Sequence, residues 1–325
     1  MLRRPSLTPP FYSLKVTTVF KNLVIYRISP EWQPSGLSLI STEAELSKQR
    51  FNPCTPGQSN SFGWVEPSGV AHGPLVERVA GQWHLKLKTE AKLLPTAVVK
   101  RRAEEMAAAI EKETGRKPGR KQVKSLREEA TVELLPKAFT RESFMRVWIS
   151  PGARWLALDC ASAARAADAV TLLVKALPGF AVTPVQTHMS PSAAMALWLA
   201  SSEAPQGFTV DQDCELKSPA NKKRSVRYSG QDLGAKEVQE HLQEGKKPTR
   251  LALTWNSRVS FVVTDAWQLK RLDFADVVFE CNRGTLLSDE ELFGADAAIF
   301  TGEVTQLLGR LVEAMGGDGD GESWK

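Results

Sequence analysis

Hydrophobic and polar positions along the chain change period repeatedly, and each change marks a predicted element. The run Val19 to Ile28 is β-branched and aromatic and predicts a first strand. Between Gln82 and Lys88, Trp83, Leu85 and Leu87 alternate with His84, Lys86 and Lys88. That period of two predicts a strand with a buried face and a solvated, basic face. Gly63-Trp64-Val65 predicts its partner. Phe144–Ile149 and Trp155–Cys160 predict a hairpin around Pro151-Gly152, and Thr249–Trp255 with Val259–Thr264 a second around Asn256-Ser257.

Helical periods lie between these strands. Val99, Ala103, Met106 and Ile110 recur at spacings of 4, 3 and 4, and Val123, Leu126, Ala130 and Leu134 at 3, 4 and 4. They predict an antiparallel helical hairpin, each helix about 20 Å long at 1.5 Å per residue, joined by the basic turn Thr114 to Lys121. Further helices are predicted after a cap at Ser41 or Thr42, over the alanine-rich run Ala161 to Leu177, and from Ser190-Pro191, carrying the apolar residues Ala194, Leu197 and Trp198. A last one carries Val304, Leu307, Leu308, Leu311, Val312 and Met315 and stops at Gly316-Gly317. Helices and antiparallel strands in mixed order indicate an α+β fold. Residues 1–18 show no period and read as a disordered extension. The rest divides into a central α+β lobe (19–93 with 140–160), a basic hairpin tip (94–139), a second α+β lobe (161–275) and an acidic C-terminal helical segment and tail (276–325).

Composition narrows the function. With 325 residues, 42% of them hydrophobic, the chain can bury a core without disulfides or metals. Cys54, Cys160, Cys214 and Cys281 are far apart, which argues for a reducing, cytoplasmic setting. No apolar run long enough for a membrane span exists, and Pro9-Pro10 interrupts any signal helix. The net charge of +5 is unevenly placed. Lys86 to Arg146 holds 16 Lys/Arg against 9 Asp/Glu, whereas Asp276 to Lys325 holds 3 against 11. A concentrated basic segment is the footprint of a polyanionic partner.

Catalytic signatures are missing from the sequence. The four histidines form no H-E-x-x-H, and there is no C-x-x-C, phosphate-binding glycine loop or G-x-S-x-G. Asp318-Gly-Asp320-Gly-Glu322 is too short for a calcium loop and reads as a flexible acidic tail. Asp265, Asp273 and Asp276 in principle suit Mg²⁺, but read better as solvent positions. Neither cofactor, metal nor catalytic residue is therefore expected. The basic turn exceeds the short turn of a helix-turn-helix. Candidate phosphate contacts are Lys86 and Lys88 on the strand; Lys100, Arg101, Arg116, Lys117, Arg120 and Lys137 on the hairpin; and Lys222, Lys223 and Arg227. Phe139, between Lys137 and Arg141, reads as core, interface anchor or DNA wedge.

Several stretches, in order, resemble the RdgC family: Phe20 to Arg27, Phe51 to Cys54 with Gly63 to Val65, Lys92 to Pro95, Leu134 to Phe139, and Asp159 to Ser162. Gln206 to Phe208, Glu215 to Lys217, Lys270 to Leu272 and Thr301 to Glu303 continue the series. The family begins near the equivalent of Phe20, which makes residues 1–18 look like an addition. The resemblance implies a horseshoe-shaped monomer whose homodimer closes into a ring around duplex DNA without reading its sequence. It also implies binding to single-stranded DNA, nucleoid association and restraint of RecA. Phe139 matches a family phenylalanine that closes one dimer contact. Gln231 matches the glutamine of a DNA-contacting pair, but Gly230 stands where its lysine is expected, leaving Arg227 and Lys222 to Arg224 as substitutes. A DNA-binding protein without catalysis is thus expected; the rivals are a Mg²⁺-dependent nucleic-acid-processing enzyme and a structural oligomer without DNA binding.

Overall fold

The computed structural model describes residues 20–34, 39–221, 224–280 and 288–319. The extension expected over residues 1–18 lies outside them. Chain order runs β1 (Asn22–Ile28), α1 (Leu39–Ser47), β2 (Asn60–Val65), β3 (Val76–Val79), β4 (Gln82–Leu93), α2 (Thr96–Thr114) and α3 (Arg120–Leu134). It continues with β5 (Phe139–Ser150), β6 (Trp155–Asp159), α4 (Ala163–Ala176), β7 (Val182–Pro184), α5 (Pro191–Ser201), β8 (Phe208–Lys217) and β9 (Ser225–Tyr228). Last come α6 (Lys236–Gln243), β10 (Lys247–Trp255), β11 (Val259–Thr264), β12 (Gln268–Phe274) and α7 (Asp289–Ala314). The class is α+β, as the mixed order of periods predicts.

All twelve strands join one antiparallel sheet that does not close. Its main path is β2-β4-β5-β6-β1-β12-β11-β10-β8-β9, with β3 on β4 and β7 on β1. The three predicted strand pairs are present: Trp64 lies opposite Leu87, Ser150 opposite Trp155, and Trp255 opposite Val259. The first strand in the chain sits at the centre of the sheet. Its nearly unbroken apolar run follows from burial on both faces: Leu23 and Ile25 enter one core, Val24 and Ile28 the other.

The first core lies between the sheet, α5 and α7, where Phe300 stacks on Phe20 at 4.7 Å and meets Trp148 edge-on at 6.2 Å. The second lies on the opposite face, under α1 and α4, around Leu46, Trp64, Trp83, Ala169 and Leu173. No residue of β8 to β12 belongs to it. The β12-to-β9 half of that face therefore lies outside the second core.

Four expectations need correction. His84 belongs by its period to the solvated face of β4, but α7 starts earlier than its apolar stripe suggests and lays Phe293 edge-on against it at 5.9 Å. His84 is buried, and burial pushes its pKa down to about 4. The early start is set by a capping box, Ser288 with Glu291, a pattern visible in the sequence. Helix α1 begins at Leu39, before the cap expected at Ser41 or Thr42. Leu197 is exposed on α5, and Met195 fills the core beside Trp198 instead. Asp318, read as part of a flexible tail, is bridged to Thr187 and gripped by Arg27 at 2.5 and 2.7 Å. That arginine also stacks on Trp155, 3.5 Å from the ring centre.

Candidate nucleic-acid interface

β4 and β5 pair along their whole length, from Trp83 opposite Ile149 to Leu93 opposite Phe139. β6 accompanies β5 only from Val147 to Ser150. The outer half of the β4–β5 ladder therefore projects beyond β6, and the chain between its two free ends makes the predicted helical hairpin. Helix α2 is about 28 Å long and α3 about 22 Å at 1.5 Å per residue, both longer than expected. The connecting turn is Gly115 to Gly119, shorter than the eight residues expected, because Arg120 and Lys121 already belong to α3. Ala103, Leu126 and Ala130 are the buried core of this finger, with Val99, Met106, Ala107 and Ile110 packed against them.

Charge divides the finger into a base and a tip. At the base Lys100 faces Glu104 at 3.6 Å and Arg101 faces Glu105 at 3.9 Å. Arg102 bonds Glu105 and reaches across to Glu133 on α3 at 2.9 Å, clamping the two helices. At the tip Arg116, Lys117, Arg120 and Lys121 are exposed and have no acidic partner among the described residues. Gly119 caps α3 without a side-chain bond, so the first backbone N–H groups of the helix face outward with the positive end of its dipole. Free guanidinium and ammonium groups beside such a terminus suit phosphate oxygens.

The other predicted residues are placed as follows. Lys137 is exposed, with no acidic partner among the described residues. Phe139 is 84% exposed beside Leu93, which removes it from the core. Lys88 bonds Glu142 at 2.7 Å and lies over Phe51 and Phe144 at 4.6 and 5.8 Å. Lys86 lies 5.1 Å from the Phe144 ring, and burial, then the charge of Arg146, lower its pKa. Both lysines are partly covered and lie against the Phe144 ring, and Lys88 is also ion-paired. Lys222 and Lys223 lie outside the described residues. Arg227 is bonded to Glu215 at 2.9 Å, and Gln231 is exposed.

Gly230 explains its own departure from the lysine expected there. Its φ is +66°, and its N–H bonds Asp213 at 3.2 Å. A side chain would find open space, yet the left-handed backbone would strain any lysine. Beside it, Arg250, Lys270 and Arg271 gather near Arg227, a grouping the sequence reading missed because the four residues come from three different strands. Among the described residues no three His, Cys, Asp or Glu side chains gather as a metal would require, Asp265, Asp273 and Asp276 included. No helix among them is long and apolar enough to cross a membrane.

Comparison with known proteins places this chain in a family. Residues 18–318 match the family model described as "Putative exonuclease, RdgC". Proteins named "Recombination-associated protein RdgC" are similar over nearly their whole length. The one from Cupriavidus necator is 45% identical and that from Cupriavidus pinatubonensis 44%, each over 299 residues, covering 92% of this chain and 98% of the relative. That from Dechloromonas aromatica is 42% identical over 302 residues, with the same coverage.

Proposed function

The chain belongs to the RdgC family, and on that footing we propose that it binds DNA without sequence preference. It does so as a homodimeric ring closed around the duplex, which limits RecA during recombination. The hairpin tip carries this reading: four exposed cations without acidic partners, on an arm that projects from the sheet. Contacts to phosphate hold a duplex but carry no sequence information. A ring of two identical chains needs two self-complementary contacts, and the exposed pair Phe139 and Leu93 supplies apolar surface for one. A protein closed on duplex or single-stranded DNA occupies backbone that RecA requires, so competition follows from geometry alone.

Salt dependence tests the reading. For six to ten phosphate contacts, duplex affinity should fall roughly 10³–10⁵-fold between 50 and 200 mM salt; a flat response overturns it. Replacing Arg116, Lys117, Arg120 and Lys121 together by glutamine should lower the slope of log K against log salt by about 3 to 4. Phe139→Ser should reduce the dimer mass in sedimentation and slow loading; unchanged mass and affinity would count against ring closure there. The family description names an exonuclease, whereas the relatives are named for recombination. Incubating labelled duplex with protein and Mg²⁺ separates the two, and shortened strands would establish the enzyme.

A further inference from the structure

A second group of cations converges on the half of the sheet that the second core leaves uncovered. Glu215 of β8 is buried there, 2.7 Å from Lys217, 2.9 Å from Arg227 and 3.7 Å from Arg250. Burial alone would raise its pKa, but bonds from Lys217 and Arg227 and the charge of Arg250 bring it down to about 2. Across a cleft of about 220 Å³ stand Lys270 and Arg271. Arg271 is 78% exposed and touches Asp213 at 3.5 Å, and Lys270 has no acidic partner among the described residues.

Two consecutive residues of a regular strand point to opposite faces. Here both line one cleft, because β12 carries an extra residue. Val262 pairs with Lys270 while Ser260 pairs with Asp273, and Arg271 between them has φ +54°. Bulges re-aim side chains, and a left-handed backbone at a residue other than glycine is strained. Neutralising Glu215 requires neither the bulge nor the cations on the far rim. Five cations thus meet two carboxylates, Glu215 and Asp213, with the surplus facing solvent.

We propose that this cleft is a second phosphate subsite, separate in sequence from the finger, which holds a backbone phosphodiester of bound DNA between the Arg227–Arg250 rim and the Lys270–Arg271 rim. The fixed guanidinium forks suit paired phosphate oxygens. The subsite rests on the DNA-binding reading above. Duplex affinity is measured against salt for the wild type, Arg271→Gly, Lys270→Gln with Arg271→Gln, and Lys175→Gln with Lys236→Gln. The last removes equal charge from exposed helix positions elsewhere.

The slope should fall by about 1 in Arg271→Gly and about 2 in the cleft pair, and stay unchanged in the helix pair. Arg271→Gly should melt no lower than the wild type, since glycine tolerates that backbone, which separates lost binding from lost folding. Wild-type slopes in both cleft variants, or an equal fall in the helix pair, would overturn the subsite while DNA binding stood. A wild type that fails to bind duplex at low salt would remove both.

Discussion

The finger and the sheet body solve the problem of burial differently. The body holds Trp32, Trp64 and Trp83 in one core and Trp148, Trp155, Trp198, Trp255 and Trp267 in the other. The finger buries two alanines and one leucine. Helices of its length are marginal alone, so it leans on the β4–β5 ladder beneath it and on the Arg102–Glu133 clamp. What it gains is surface: its tip cations stay solvated and free, whereas Lys86 and Lys88 on the body lie partly covered against the Phe144 ring, Lys88 also ion-paired. A thin core with free charge at its end is an arrangement for contact; a thick core with paired charge is one for stability.

The largest expected effect tests the body. Phe300 is fully buried against Phe20, Trp148 and Phe274, and Phe300→Ala should cost about 3–5 kcal/mol. Denaturant unfolding followed by tryptophan fluorescence measures this, since every described tryptophan lies in the body. Local opening of the finger, read by hydrogen exchange over residues 96–134, should not change. If both shift together, finger and body form one cooperative unit.

A pH effect of similar origin comes next. Burial lowers the pKa of His84 from 6.5 to about 4. Between those values the unfolded chain binds a proton that the folded chain refuses. Stability should therefore fall as pH drops from 6.5 towards 4, by up to about 3 kcal/mol, and be unaffected above that range. His84→Leu should flatten this part of the profile, and an unchanged profile would show that other groups dominate it. The finger has no buried titratable group, so its exchange should not follow this titration. Leu126→Ala reverses the contrast: it should cost about 2 kcal/mol, seen as faster exchange across α2 and α3 while the body unfolds at the same denaturant concentration.

How legible this was in the sequence depends on how local each feature is. The ladder of β4 showed through its period of two, the finger through two stripes of period near 3.6, and the tip because its four cations fall within the six residues from Arg116 to Lys121. The sheet order did not show. β1 lies between strands that begin at Trp155 and Gln268, and nothing within residues 22–28 encodes either neighbour. His84 was misplaced for the same reason: Phe293, which covers it, is distant in sequence. The cleft around Glu215 needs β9, β8, β10, β11 and β12 in that order before its charges become one feature.

Gly115 gives the smallest effect and the sharpest separation of folding from binding. It closes α2 at φ +69°, with its N–H bonded to the Glu111 carbonyl at 2.8 Å, and a Cβ there would meet nothing within 4 Å. Gly115→Ala therefore adds no clash with its surroundings, only the cost of a left-handed backbone, about 1 kcal/mol. Because the finger's core is separate, that cost should appear as roughly fivefold faster exchange in α2 and α3, with the melting of the body unchanged. The variant removes no charge, so the salt slope of duplex binding should also stay at the wild-type value, while affinity falls a few-fold at most. The fourfold tip variant should show the converse, a lower slope with unchanged exchange. If Gly115→Ala lowers the slope, phosphate contact depends on the turn being rigid, and the finger is a preformed clamp rather than a charged arm.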